Sequence, residues 1–336
     1  MAVENSSNFR KASLPALSIA LMLATFAPVS GTHAAEACAI KRSDHQQVEL
    51  NRLNFDPDAP LHTRIAAPTP EIVDAFSQMA GRTATAHQPN ATQLQRLTRD
   101  LASLPPLHRY MLKHHLRHFS FIDTDGPGTG LTAVVGDGGY PLFDITLRAG
   151  ILDETLSAFL TAKERQLFAD DGSGTSVSVN ASGDALRYVL LHEASHVVDH
   201  VLKLSSELAP EFADGIWMDR RGLSAPWSEG DIAETPYRGG EPIPAEQAVA
   251  LYQALSHTPF PSLYATAAAP EDFAELVAWR ELSLASPAST LEFVVHDGQG
   301  SQLYALKPLE NVAVLKRMEA LGDFLAICAE TADLPT

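Results

Sequence analysis

The sequence predicts an α+β fold: helices, a small mixed sheet, one long central helix, and then a mostly helical second half. Three observations carry that expectation. Apolar residues recur at helical spacing through "GDALRYVLLHEASHVVDHVLKL" (Gly183 to Leu204), the strongest helical run in the chain. Short β-rich segments gather before it, as "FSFID", "LTAVVG", "YPLFDITLR" and "TSVSVN". After it, "AEQAVALYQALSH", "PEDFAELVAWRELSL" and the stretch from Leu309 to Ala329 again read as helices.

Taken in order, "PEIVDAFSQMAG" is a short helix closed by Gly81, and "NATQLQRLTRDLASL" opens at Asn90 or Thr92 and stops before Pro105. "LHRYMLKHHLRH" reads as a third helix. Its His108, His114, His115 and His118 stand among Arg109, Lys113 and Arg117 with no acid, which predicts a solvated basic face. "DTDGPGTG" lacks the spacing and closing Glu of a calcium loop and reads as a turn. "LTAVVG", a Gly-rich turn and "YPLFDITLR" suggest a hairpin or meander, followed by helical "TLSAFLTAKERQLFA". From Ser205 to Pro244 the composition shifts to Gly, Pro, Trp and charge, implying irregular connections, with Trp217 and Trp227 either walling a cleft or filling core. "LEFVVHD", "SQLYALK" and the last helix complete the chain.

The first 34 residues read as a signal peptide. Arg10 and Lys11 precede the apolar run Leu14 to Val29, and small residues suit a cut after Ala34. The expected mature protein is therefore periplasmic or secreted, without stable membrane insertion. Residues 35–336 then form one domain, with an N-terminal lobe of about 35–203 and a C-terminal lobe of about 204–336 on either side of the central helix. Cys38 and Cys328 either bridge the two ends, as an oxidising compartment permits, or remain free thiols. A net charge of −17 disfavours nucleic acid and anionic membranes as partners.

The chemistry concentrates on the central helix. His192 and His196 are four residues apart and project from one face, so both imidazoles can reach one ion, and zinc takes nitrogen ligands readily. Glu193 flanks them as in H-E-x-x-H, where a carboxylate accepts a proton from metal-activated water. His200 lies another turn along a straight helix and cannot converge with the pair, so it is assigned to helix-surface packing. Glu271 and Glu275, one turn apart in the helix begun by Pro270, are the better source of a third ligand and of a carboxylate that orients a liganding His. Tyr264 in the preceding loop can aim a phenol into the site. Asp199 shares the helical face of the histidines and is expected to hydrogen-bond a ligand or its neighbour.

"HEASHVVD" followed at a distance by "YATAAAPEDFAE" resembles the gluzincin group of zinc metallopeptidases, and most of all its lethal-factor-type and Pro-Pro endopeptidase branch. The resemblance covers two short motifs. It implies a zincin-like two-lobed fold, with a small sheet, an active-site helix and a mostly helical second lobe. It also implies Zn2+ held by His192, His196 and Glu271, Glu193 as the base, Tyr264 as the phenol at the transition state, and Glu275 and Asp199 around the ligands. The implied partner is a peptide or protein substrate. Either "YPLFDITL" or "TSVSVN" would be the edge strand along which it extends. The contrasting expectation is a zinc-binding or structural protein of the cell envelope without turnover.

Overall fold

The computed structural model describes Cys38, Leu50, Asn51, Leu53, residues 55–332 and 334, apart from 125–128, 136–139 and 287. The expected signal peptide and the Gly-rich turn at 137–139 lie outside the described residues. Helices and small sheets alternate as an α+β fold requires.

Helix α1 (Pro70–Ala80) ends on Gly81 at φ 66°, the left-handed conformation a glycine adopts without strain. After β1 (Thr85–His87), helix α2 (Ala91–Ala102) opens with a reciprocal cap. The Asn90 side chain accepts from the backbone of Thr92 and Gln93, and the Gln93 side chain returns to Asn90 N. Helix α3 (Pro106–His115) passes directly into β2 (Leu116–Asp123). Strands β3 (Gly130–Val135) and β4 (Leu142–Arg148) complete a four-stranded sheet in the order β1-β2-β4-β3. The β2–β4 pair is parallel and the other two pairs are antiparallel.

The third helix is shorter than its sequence suggests, and its basic face is solvated only in part, with Lys113 exposed and two histidines inside. From Leu116 the period changes from helical to alternating, so Arg117 and His118 belong to β2, where Arg117 Nε donates to Asp144 of β4 at 3.0 Å. His108 and His115 are buried. His108 Nε2 lies 3.1 Å from Ser195 Oγ, and burial lowers its pKa to about 4. His115 is likewise lowered to about 4 by burial, with its Nδ1 donating to the Pro141 carbonyl at 2.8 Å. These are neutral core imidazoles whose ring hydrogens are satisfied by the fold.

Helix α4 (Leu156–Arg165), the short strand β5 (Phe168–Ala169) and β6 (Ser176–Ala181) lead to the central helix α5 (Ala185–Leu202). Fourteen of its eighteen residues are buried, so α5 has no solvent stripe and runs through the core. It packs against α3, α4 and β3, and against the later helix α8. Each fully buried Leu or Val on it contributes about 1.5–3 kcal/mol. Lys203 ends the helix in the left-handed region.

The segment that follows is mainly turns, with short α6 (Pro210–Ala213) and β7 (Ile243–Pro244). Then come α7 (Ala248–Ser256), α8 (Ala269–Ala285), the hairpin β8 (Leu291–His296) and β9 (Gln302–Leu306), and α9 (Val312–Thr331). Two pairings tie the halves of the chain together. β6 forms an antiparallel sheet with β8 and β9, and β5 pairs in parallel with β7. One hydrophobic core runs through both halves. A disulfide joins Cys38 to Cys328 on α9, which settles the cysteine alternatives in favour of the bridge. Among the described residues no helix is long and apolar enough to cross a membrane.

Candidate metal centre

Three side chains from two helices converge. Nε2 of His192 and Nε2 of His196 are 3.2 Å apart, and Oε2 of Glu271 lies 3.1 Å from the first and 3.5 Å from the second. Donors about 2.0–2.2 Å from a tetrahedral ion stand roughly 3.3–3.5 Å from one another. The observed triangle therefore fits one face of a zinc tetrahedron, and two imidazoles with a carboxylate are the donor types zinc takes. His200 is not in this group; it is exposed, with its ring edge-on to Phe143.

Helix α8 sends three acids in three directions. Asp272 is fully buried, accepts from Trp217 Nε1 at 2.8 Å, and pairs with Arg317 of α9 at 2.6 Å. Trp217 is thus part of the core that anchors α8, and of its two sequence alternatives this is core filling. Glu275 Oε2 accepts from Ser262 Oγ at 2.7 Å and from Trp279 Nε1 at 3.3 Å, and its Oε1 accepts from Tyr188 of α5. That leaves Glu271, one turn before Glu275, facing the two histidines.

Glu275 also meets His192. Its Oε1 lies 3.3 Å from Nδ1, within ion-pair reach though off the angle of a good hydrogen bond. A carboxylate at Nδ1 keeps the proton there and leaves Nε2 free for a ligand role. Burial pushes the Glu275 carboxyl up, but His192 and Lys163 outweigh it and hold it at about 2. Burial likewise disfavours the His192 cation, yet Glu271 and Glu275 raise its pKa to about 9. Glu271 is held well below the carboxylate range, against burial, by His196 and His192. The arrangement is built around positive charge: without an ion, a proton on His192 supplies it.

Glu193 follows His192 on α5 and lines the same cavities. Its Oε2 accepts from Thr132 Oγ1 of β3 at 2.6 Å. Gly130, on the same strand, comes so close that a Cβ there would sit 2.4 Å from Glu193 Oε1. Tyr264 occupies a helical turn just before α8, its ring 5.8 Å from that of His192. Burial raises its pKa well above the usual value, and the neighbouring Glu271 adds to this, so it is a hydrogen-bond donor at neutral pH.

Asp199 lines the larger cavity with His196 and Glu271, but its hydrogen bonds run elsewhere. Its carboxylate accepts from Ser205 N and Ser205 Oγ, both at 2.6 Å, and so fastens the chain reversal after α5 rather than a liganding imidazole. The reason is the left-handed Lys203, which folds Ser205 back onto the last turn of the helix. The expected edge strand also changes. β4 has neighbours on both sides, and β6 ends the three-stranded sheet with its outer edge bonded by Ser157, Thr161 and Arg165 of α4, whereas among the described residues β3 has one free edge and lines the cavity beside the histidines.

Several contributors carry no signal in the sequence. Thr132 is one alternating residue of a strand, Tyr188 reads as helix core, and Tyr237 and Lys163 belong to no motif. Lys163 Nζ of α4 lies 3.2 Å over the Tyr264 ring, and Tyr237 packs edge-on against the same ring at 5.0 Å. Two cavities, of about 310 Å³ and about 410 Å³, meet at Gly130, His192, Glu193 and Tyr264 and so form one trough across the site. Comparison of the chain with protein-family models, with curated proteins and with solved structures found no match.

Proposed function

We infer that this protein is an exported zinc-dependent peptidase with a two-lobed, zincin-like arrangement around α5. The observation that carries the reading is the tetrahedral face formed by His192, His196 and Glu271, with Glu193 beside it and a free strand edge alongside. A purely structural zinc site is closed by four protein ligands, whereas three ligands and an adjacent base suit turnover. Zinc in that position would supply Lewis acidity and lower the pKa of a water. Glu193 takes that water's proton and returns it to the leaving amine, with Thr132 holding one of its oxygens in place. Tyr264 donates its phenolic hydrogen to the developing oxyanion. An extended peptide pairs with the free edge of β3, which is the strand nearest the base. The Cys38–Cys328 disulfide supports an oxidising compartment.

The test is Glu193→Gln alongside the wild type, read by zinc content and by cleavage of a diverse peptide library. The wild type should bind one zinc per chain and cleave in a chelator-sensitive way. The variant should keep the zinc and lose cleavage. Full zinc occupancy with no hydrolysis by the wild type would leave a zinc-binding protein without turnover.

A further inference from the structure

The smaller cavity, of about 310 Å³, lies on the α4 side of Glu193 and His192 and is walled by Phe159, Tyr188, Tyr237 and Tyr264. In this mostly aromatic surround sits the amine of Lys163. Its ammonium rests on the face of Tyr264, and among the described residues no carboxylate comes within ion-pair distance of it. Burial lowers its pKa; the carboxylates of Glu275, Glu271, Glu164 and Glu193 counter this from farther away. Those acids are already engaged. Glu275 is bonded to Tyr188, Ser262 and Trp279, Glu164 to Tyr252 at 2.6 Å, Glu193 to Thr132, and Glu271 faces the histidines. A dication at the histidines would offset two of those charges and so weaken the hold of the surrounding acids on the ammonium.

The geometry points to a subsite for an anionic group: Lys163 receives a substrate carboxylate in the cavity next to Glu193, so that the preferred substrates are peptides carrying an acid on that side of the cleaved bond. This rests on the peptidase reading above and names its substrate class. A half-buried ammonium with no carboxylate at ion-pair distance gains from one, and a ligand carboxylate would both pair with it and fill the aromatic pocket. Two sources share that chemistry, an Asp or Glu side chain and the free carboxylate at the end of a peptide. The second would make the enzyme trim chain ends.

The experiment uses full-length zinc-loaded protein with a peptide panel in which each position is fixed as Glu, Gln, Asp or Asn, with either free or amidated C-termini. Wild type should favour acid over amide at one position by about 10- to 100-fold in kcat/KM, the worth of one charge-assisted hydrogen bond. Loss of that preference on amidating the C-terminus would assign the carboxylate to the chain end; its survival would assign it to a side chain. Lys163→Met should abolish the preference while amide peptides are still cleaved, Lys163→Arg should keep it, and Lys163→Glu should reverse it. Equal cleavage of acid and amide peptides by wild type would overturn the subsite and leave the peptidase intact. So would a Lys163→Met variant that slows every peptide alike, since Lys163 would then only support the Tyr264 ring. Calorimetric binding of the same peptides to Glu193→Gln tests the subsite without turnover. Tighter binding of acidic peptides that vanishes in the Glu193→Gln/Lys163→Met double variant would uphold it even if the wild type cleaved nothing.

Discussion

Replacing Glu275 by Gln changes one oxygen to an NH2 and leaves the size of the side chain unaltered, yet the structure predicts a large effect. Four donors meet this carboxylate: Tyr188 at Oε1, Ser262 and Trp279 at Oε2, and His192 Nδ1 at ion-pair distance. An amide offers a single acceptor oxygen. Turned one way it opposes Tyr188 and His192 with its own hydrogens, and turned the other way it opposes Ser262 and Trp279. One or two buried donors lose their acceptor in either case, at about 1–3 kcal/mol each, so the loss should be about 2–5 kcal/mol. Urea unfolding of the metal-free variant at pH 7 measures it. The wild-type carboxyl is held at about 2, so its contribution is complete above pH 4.5 and disappears as the pH falls through 2. A second readout is zinc affinity, measured by competition with a chromophoric chelator. Without a carboxylate at Nδ1 the His192 tautomer is no longer fixed, and affinity should fall about 10- to 100-fold. An unfolding free energy within about 0.5 kcal/mol of wild type, together with unchanged zinc affinity, would refute the assignment of Glu275 as the anchor of His192.

Three further outcomes follow from the same structure. Gly130→Ala places a methyl group against Glu193 Oε1 and should suppress cleavage while zinc content stays full; an active alanine variant would show that β3 does not confine the base. Cys38→Ser should cost about 2–5 kcal/mol of stability under non-reducing conditions and nothing once the wild type is reduced, which parallel unfolding curves would check. Burial lifts the Glu164 carboxyl to about 7 against the opposing hydrogen bond from Tyr252, so the folded state keeps that proton where the unfolded chain has lost it. Its stabilisation is complete below pH 4.5 and fades as the pH rises through 7; Glu164→Gln should flatten that part of the stability profile, and an unchanged slope would contradict the burial argument.

Much of the centre was legible because its logic is local. Helical spacing alone brings His192 and His196 to one face, and Pro270 with Glu271 and Glu275 marks a helix start whose acids fall one turn apart. The helix boundaries followed from caps, as at Asn90 and Gly81. What could not be read depends on long-range partners. That α3 stops at His115 is decided by the pairing of Leu116 with Phe143, and the burial of His108 by a contact with Ser195 far along the chain. Asp199 shares the right face of α5, but a left-handed residue just beyond the helix captured it for Ser205. Strand order likewise has no signature in the strands: β4 and β3 both alternate, and only their neighbours make one interior and the other an edge.

The bridge between Cys38 and Cys328 turns nearly the whole described polypeptide into a covalent ring. A ring severed once is a linear molecule and still a single one. A protease nicking the exposed turns around Arg220 or Glu229 would therefore release nothing, and the two helices that carry His192, His196 and Glu271 would stay tethered to each other. Such closure confers tolerance of a single cut at these exposed turns.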